Sequence, residues 1–554
     1  MSGSLADQLA FARGLRPAQV AHRARLRVQR EVQRRLPGPA RRLLTRPVGA
    51  PPPGWPGGFR PLALLDADLD EAHAAGSGHF DLLGEARALG SPIDWRVDGT
   101  SRLWAFHLHY LEWAWGLVDD PDRERASASF EAMWCSWKAV VPFGAGDAWA
   151  PYVVAVRTWV LCGLADALLD DEARHRTGIV ADLALHAGYV RANLELDVGG
   201  NHLVKDLKAV IGAGVWLGDD RLVAAGLRHL RGQLDHQVLA DGGHFERSPA
   251  YHVQVLADLV DVEGVLPSPP AWLTSRTAAM RGWLAAMVLP SGNIPLLGDA
   301  VPVAPGLLAA LAPARTVPGL DDLLPSGHVV AEMGLRGHLV VDVGPPGPRD
   351  LPAHAHADCL SFVLCVDGRD VFVDGGTSTY DPGPRRAFER STAAHNTVEV
   401  DGADQTPLFG TFRAGAPAVP HVEELRPVEG GFVLRAWHDG YERLPGAPRH
   451  ERTITAGPDG LVLDDEVHGS GRHRVTSRLH VAPGLDVVPV PGGLRVGPVL
   501  VRWPADEPAW VPGSVEVGVG FGRRVEVPVL VRDAQVTLPA RTSTTMGLVA
   551  DGDT

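Results

Sequence analysis

Two kinds of hydrophobic spacing divide the 554 residues of the chain. After the Pro/Gly-rich stretch PVGAPPPGWPGGFRP (47–61), apolar residues recur three and four positions apart as far as about residue 312. LWAFHLHYLEWAWGLV (103–118), VRTWVLCGLADALLD (156–170), LVKDLKAVIGAGVWL (203–217) and YHVQVLADLVDVEGVL (251–266) each predict a helix. Several are apolar around most of their circumference, the mark of helices packed between other helices. From about residue 328 the period changes to two, with Gly and Asp-Gly punctuation: GHLVVDV, SFVLCVDGRDVFVDGG, HNTVEVDG, GFVLRAWHDG and LVLDDEVHG predict short strands and hairpins. The pattern alone therefore predicts a helical domain over 51–315 and an all-β domain over 328–554, preceded by a distinct segment, 1–50.

That first segment carries eleven arginines against Asp7 and Glu31, a balance of +9, which leaves −23 on the rest of a chain whose net charge is −14. Val20, Ala24, Val28, Val32 and Leu36 recur every fourth residue within it, predicting a basic amphipathic helix. Its apolar stripe either packs on the protein itself, the reading the pattern favours, or meets an anionic surface or partner. Arg13, Arg16, Arg23 and Arg25 interrupt any apolar run of the kind a secretory leader needs, and no later stretch suggests a membrane span. A cytoplasmic location is the expectation. The acidic balance argues against a nucleic-acid partner. Cys135, Cys162, Cys359 and Cys365 match no zinc-knuckle spacing and read as buried reduced thiols.

Three clusters carry candidate chemistry. LPAHAHADCLSF (351–362) places His354, His356 and Asp358 at alternate positions, on one face if the stretch is extended. With Asp374 and His395 from neighbouring strands, one His, one Asp and a second His could hold zinc and leave a fourth position to water. Histidines bonded to backbone in loops are the alternative. DVGGNHLVKDLKA sets Asn201 and His202 at a helix start, where Asn is a favoured cap and where the free N–H groups would also suit a bound carboxylate. DGGHFERSPAYHVQVL puts Tyr251 near another helix start, whose positive end favours a phenolate.

GGNHLVKDLKAVIGAG, DGGHFERSPAYHVQVLADL and the long block from His354 to Gly402 resemble the signature blocks of the heparinase II/III family of polysaccharide lyases, and DAWAPYVVAVRTWV resembles an earlier helical block. They run in family order over roughly residues 90–405. The resemblance implies an incomplete (α/α) toroid followed by an antiparallel β-sandwich domain, and β-elimination at a uronate as the reaction. It implies that Asn201 and His202 neutralise the uronate carboxylate, that Tyr251 is base and acid, and that His354 is base or charge stabiliser. It implies a structural zinc on His356, Asp374 and His395, with Asp358 in support. Arg157 and Arg247 are candidates for bidentate contacts to an acidic poly- or oligosaccharide, and Trp104 and Trp149 for sugar stacking. Two rival readings are a catalytically silent carbohydrate-binding protein of exopolysaccharide production and a metal-dependent oxygenase using His356, Asp374 and His395. Oligomeric state is open, a homodimer being one option.

Overall fold

The computed structural model describes residues 3–48, 51–313 and 319–549. The ends of the expected domains at 50, 315 and 554 lie outside the described residues. The chain forms two compact units whose limits differ from those expected. A helical unit comprises Arg16–Gln237 and Gln254–Ala278. A sheet-rich unit comprises Met1–Leu15, Val238–Val253 and Ala279–Thr554. The difference arises because the basic N-terminal segment and the stretch before residue 315 are each divided between units, which a spacing pattern cannot reveal.

In the helical unit, helices Pro151–Leu168, Ile179–Ala192 and Gly200–Leu217 are buried over most of their surface, as their all-round apolar character predicts. Pro151–Leu168 is long and apolar enough to cross a membrane by length and composition, and it is spent as core. Close approach is made possible by glycine: a Cβ on Gly212 would collide with the Trp159 ring. Gly199 and Gly200, both at positive φ, turn the chain into helix Gly200–Leu217.

The sheet-rich unit holds three main antiparallel sheets. Five strands from Leu320–Leu323 to Arg369–Phe372 follow one another in sequence order. An eight-stranded sheet begins Pro420–Val428, Gly431–His438, Arg449–Gly457, Gly460–His468 and then takes in Ala540–Leu548. A four-stranded sheet is ordered Val511–Gly518, Arg524–Thr537, Arg472–His480, Val398–Val400. The predicted period of two is visible in Gly460–His468, where every second residue is buried. One apolar core, including Val341, Phe362, Phe372, Leu434, Ile454, Leu463 and Met546, draws on the five- and eight-stranded sheets.

Two expectations change here. Helix Pro17–Arg35 forms as predicted, but it buries Gln19, Leu26 and Gln33, while Val20, Val28, Val32 and Leu36 are exposed. Of the four cysteines, Cys135 is exposed and the other three are buried, all with free thiols.

Candidate active site

In the helical unit, Glu195 and the glycine turn lead directly into Asn201 and His202. Gly199 occupies the capping position, so Asn201 lies inside the first turn and is not the helix cap. Its side chain is buried and donates to Gln254 Oε1 at 3.3 Å, and Gln254 donates in turn to the Tyr152 hydroxyl at 2.8 Å. His202 is half-buried, with Nδ1 3.1 Å from Glu195 Oε2 and its ring 4.4 Å from that of Tyr152. The Glu195 N–H donates to Asp206, whose pKa is pushed up by burial and then by the Glu195 charge. An amide, an imidazole and a phenol thus converge at one helix start.

In the sheet-rich unit, residues 351–361 are not extended. A single 3-10 turn, Pro352–His354, precedes an irregular stretch, and the strand starts only at Phe362. His354 and His356 nevertheless come together, because both bind the carboxylate of Asp299. His354 Nδ1 lies 3.0 Å from Asp299 Oδ2 and His356 Nε2 lies 2.8 Å from Oδ1. Arg386 forks onto the same carboxylate, with Nη2 2.7 Å from Oδ2, and Thr377 donates to it at 3.2 Å. Burial disfavours the Asp299 charge, but Arg386 and the two histidines outweigh it and hold its pKa well below the usual carboxylate range. Gly298 lets the backbone in: a Cβ there would stand 2.9 Å from the His354 carbonyl oxygen.

The Tyr251 ring stacks on His354 at 3.7 Å between centroids, and its hydroxyl is 2.7 Å from that of Tyr380. On its other side His354 Nε2 faces Glu246 Oε2 at 3.5 Å. Burial pushes the Tyr251 phenol well above 10, reinforced by Tyr380 and Asp299. The phenolate expected from the helix start is therefore not the resting form; the local desolvation and negative charge exceed the pull of the helix end.

Asp299, Tyr380 and Arg386 escaped the sequence reading as members of this cluster, whereas Glu246 is crowded with Tyr251 in DGGHFERSPAYHVQVL. Tyr380 and Arg386 lie within the long block from His354 to Gly402, so proximity in sequence could have flagged them. Asp299 follows PLLG with no pattern to mark it.

His356, Asp358 and His395 meet a ligand-like geometry. One donor atom from each lies within 4.8 Å of the others, and all three residues are buried. Among the described residues His356 Nδ1, Asp358 Oδ1 and His395 Nε2 are moreover buried without hydrogen-bond partners, a donor set that would suit a cation. Burial lowers the pKa of His356 to about 4, which keeps the imidazole neutral as a ligand must be. Asp358 is pushed up to about 6, chiefly by burial. Asp374, expected as a ligand, instead bonds the far side of His395, with Oδ2 2.8 Å from Nδ1. Burial opposes charge on His395, but this carboxylate outweighs it and raises its pKa. In the candidate ligand set Asp358 thus stands where Asp374 was expected, and Asp374 lies behind His395, where it would orient the imidazole.

The four proposed sugar-binding side chains are placed elsewhere. Arg157 is fully buried, donates to the His109 and Ala148 carbonyls at 3.0 and 2.9 Å, and lies over Trp137. Arg247 donates to the Pro345 and Pro325 carbonyls at 3.1 and 3.2 Å. Trp104 and Trp149 are core residues, Trp104 donating to the Glu85 carbonyl and Trp149 packed among Phe143, His186 and Tyr189. Neither tryptophan has a ring face left for a sugar. All four are residue types that bind sugars when exposed; burial, which the sequence does not display, removes Arg157, Trp104 and Trp149, and the Pro325 and Pro345 carbonyls engage the half-buried Arg247.

Two family models cover these regions: heparinase II/III N-terminus matches residues 174–312, and heparinase II/III-like, C-terminal matches 315–517. The chain belongs to the heparinase II/III-like family. A solved structure of heparinase III is similar with a TM-score of 0.75 at 16% identity, covering 92% of this chain and 89% of the other. The chondroitin AC lyase of Streptomyces coelicolor A3, in complex with chondroitin sulphate, gives a TM-score of 0.56 at 12% identity, covering 90% and 81%. These two likenesses establish the toroid and β-sandwich fold. FtsZ-localized protein C of Caulobacter vibrioides is 29% identical over 425 residues, 72% of this chain and 71% of the relative.

Proposed function

We propose that this heparinase II/III-like protein is a polysaccharide lyase that cleaves a uronate-containing glycan by β-elimination. The observation that carries the reading is the Tyr251–His354 stack held by Asp299, with the Tyr380 hydroxyl at the tyrosine oxygen. In the elimination, the C5 proton of the uronate is removed, the bond from C4 to the glycosidic oxygen breaks, and that oxygen takes a proton. The C5 proton is acidic only when the adjacent carboxylate is neutralised, since the intermediate otherwise gathers two negative charges. Asn201 and His202 supply amide and imidazole donors for that carboxylate.

Tyr251 rests as the phenol, the form needed to protonate the leaving oxygen. For the same oxygen to act as base it must first give up that proton, which the half-exposed Tyr380 hydroxyl relays to solvent water; the proton it then takes from C5 is the one it returns to the leaving oxygen. His354 has a carboxylate at each ring nitrogen, which favours it as stabiliser of developing negative charge over the base role. The relatives named as heparinase III and chondroitin AC lyase support a glycan substrate.

A panel of uronate polymers and oligomers, followed by the ultraviolet absorbance of an unsaturated product, tests the reading. Absence of product from the whole panel, with the glycans still bound, would instead favour a silent carbohydrate-binding protein. On a cleaved substrate, Asn201→Ala and His202→Ala should each lower kcat by on the order of 10²-fold, as losses of single donors to a developing charge do, with a smaller change in KM. A variant whose melting temperature falls while kcat holds would return that side chain to a purely structural role.

A zinc ion on His356, Asp358 and His395 completes this reading, its role being to tie the loop at 351–361 to the strands around it. Elemental analysis should find about one zinc per chain from a single three-residue ligand set. Asp358→Asn and His356→Ala should lose the metal. Asp374→Asn should retain it with affinity reduced about 10–100-fold, the usual cost of losing a carboxylate that orients a ligand. Loss of metal in Asp374→Asn with full retention in Asp358→Asn would reverse the assignment.

A further inference from the structure

The basic N-terminal helix is not absorbed by the lyase reading, and its orientation is unusual. An amphipathic helix on a soluble protein turns its apolar stripe inward. Helix Pro17–Arg35 does the reverse over most of its length. The side chains that hold it to the helical unit are largely polar: Gln29 donates to the Ala192 carbonyl at 2.7 Å and to Asn193 at 3.1 Å, Asn193 donates to Gln33 at 3.1 Å, and Arg23 pairs with Asp197 at 3.4 Å. Leu26 is its one buried large apolar residue.

Outward it presents Val20, Ala24, Val28 and Val32, with Val28 66% exposed. Leu36 continues the stripe, and Leu43 on the short helix Pro37–Leu44 is 84% exposed. Arg25 flanks the valines on one side and Arg27 and Arg34 on the other, all exposed. The first fifty residues carry +9 on a chain that is otherwise −23. An apolar stripe flanked by arginines, with Glu31 bound to Arg34 and Arg35 near its end, is thus set into a protein of opposite charge.

We infer that this face docks on an anionic lipid bilayer, with the valines and leucines at the acyl boundary and the arginines at the lipid phosphates. Charge complementarity and apolar content select this occupant together. A nucleic-acid backbone would use the arginines but leave the valine stripe in water. A second copy of the helix would need apolar residues every 3.5 positions to stay in register. The stripe recurs every four, and drifts around the helix by about 40° per step. Neither the apolar nor the electrostatic contribution is strong alone, so the attachment should need both and should be reversible. The inference is independent of the lyase reading.

Flotation of the full-length protein with vesicles of phosphatidylcholine alone, and of phosphatidylcholine mixed with phosphatidylglycerol, tests it at low and at high salt. Binding is expected only to the mixed vesicles and should weaken as salt screens the headgroups. Val28→Glu should reduce the partition coefficient by about tenfold or more, because it puts a carboxylate into the apolar centre. Arg25→Gln with Arg27→Gln should reduce it by about fivefold per arginine. All three positions are exposed, and unchanged circular dichroism and melting would show that the fold is intact. No binding to mixed vesicles at low salt would overturn the inference, as would equal binding to both vesicle types. Preference for a DNA duplex over the vesicles, or a lipid-free dimer that Val28→Glu dissociates, would also overturn it.

Discussion

Replacing Tyr251 with Phe should lower turnover by on the order of 10²-fold or more on any glycan the protein cleaves, the scale expected for a lost general acid or base. The phenyl ring retains the 3.7 Å stack on His354, so folding and glycan affinity should change little. What disappears is the oxygen bonded to Tyr380 at 2.7 Å and the proton it carries. KM should stay close to its original value while kcat collapses, because the hydroxyl contributes chiefly once the C4–oxygen bond is breaking. A Phe variant with more than half the original kcat would remove Tyr251 from the chemistry and leave its ring as packing around His354.

The second large effect should come from Asp299→Asn, and it should be felt in stability as well as activity. One carboxylate holds His354, His356 and Arg386, and all four side chains are buried. Neutralising it leaves the Arg386 guanidinium without its counter-ion, which typically costs about 3–5 kcal/mol when a buried pair is broken from one side. The Asp299 pKa is depressed in the folded protein, so the unfolded chain binds the extra proton as pH falls. Its stabilisation is accordingly complete above the ordinary carboxylate pKa of about 4 and is lost as pH drops through the lower folded value. Denaturant unfolding at neutral and acid pH should therefore show a gap between the two proteins that narrows with acidification. A constant or widening gap would mean that the ion pair is not its source. Activity should also fall, because His354 loses the bond at Nδ1 that sets its ring beside Tyr251.

Local spacing was sufficient for a good part of this molecule. Patterns of three-and-four and of two arise from the geometry of neighbouring residues, so helix Gly200–Leu217 and strand Gly460–His468 follow from the chain alone. The family blocks likewise placed Asn201, His202, Tyr251, His354, His356 and His395 among the residues worth attention before any fold was known. Which carboxylate each histidine meets was decided only by tertiary structure. Asp299 is 55 positions from His354 in sequence, and Asp358 rather than Asp374 comes within reach of the free nitrogens of His356 and His395 because chain reversal, not spacing, sets which oxygen faces the two imidazoles. Burial was equally invisible: Arg157 and Trp104 have the chemistry of sugar-binding residues, and the packing around them turns it inward. The N-terminal helix marks the boundary between the two kinds of information. Its sequence determines that there are an apolar face and polar faces, and only the bonds of Gln29, Gln33 and Arg23 to the rest of the helical unit decide that the apolar face is the one left in solvent.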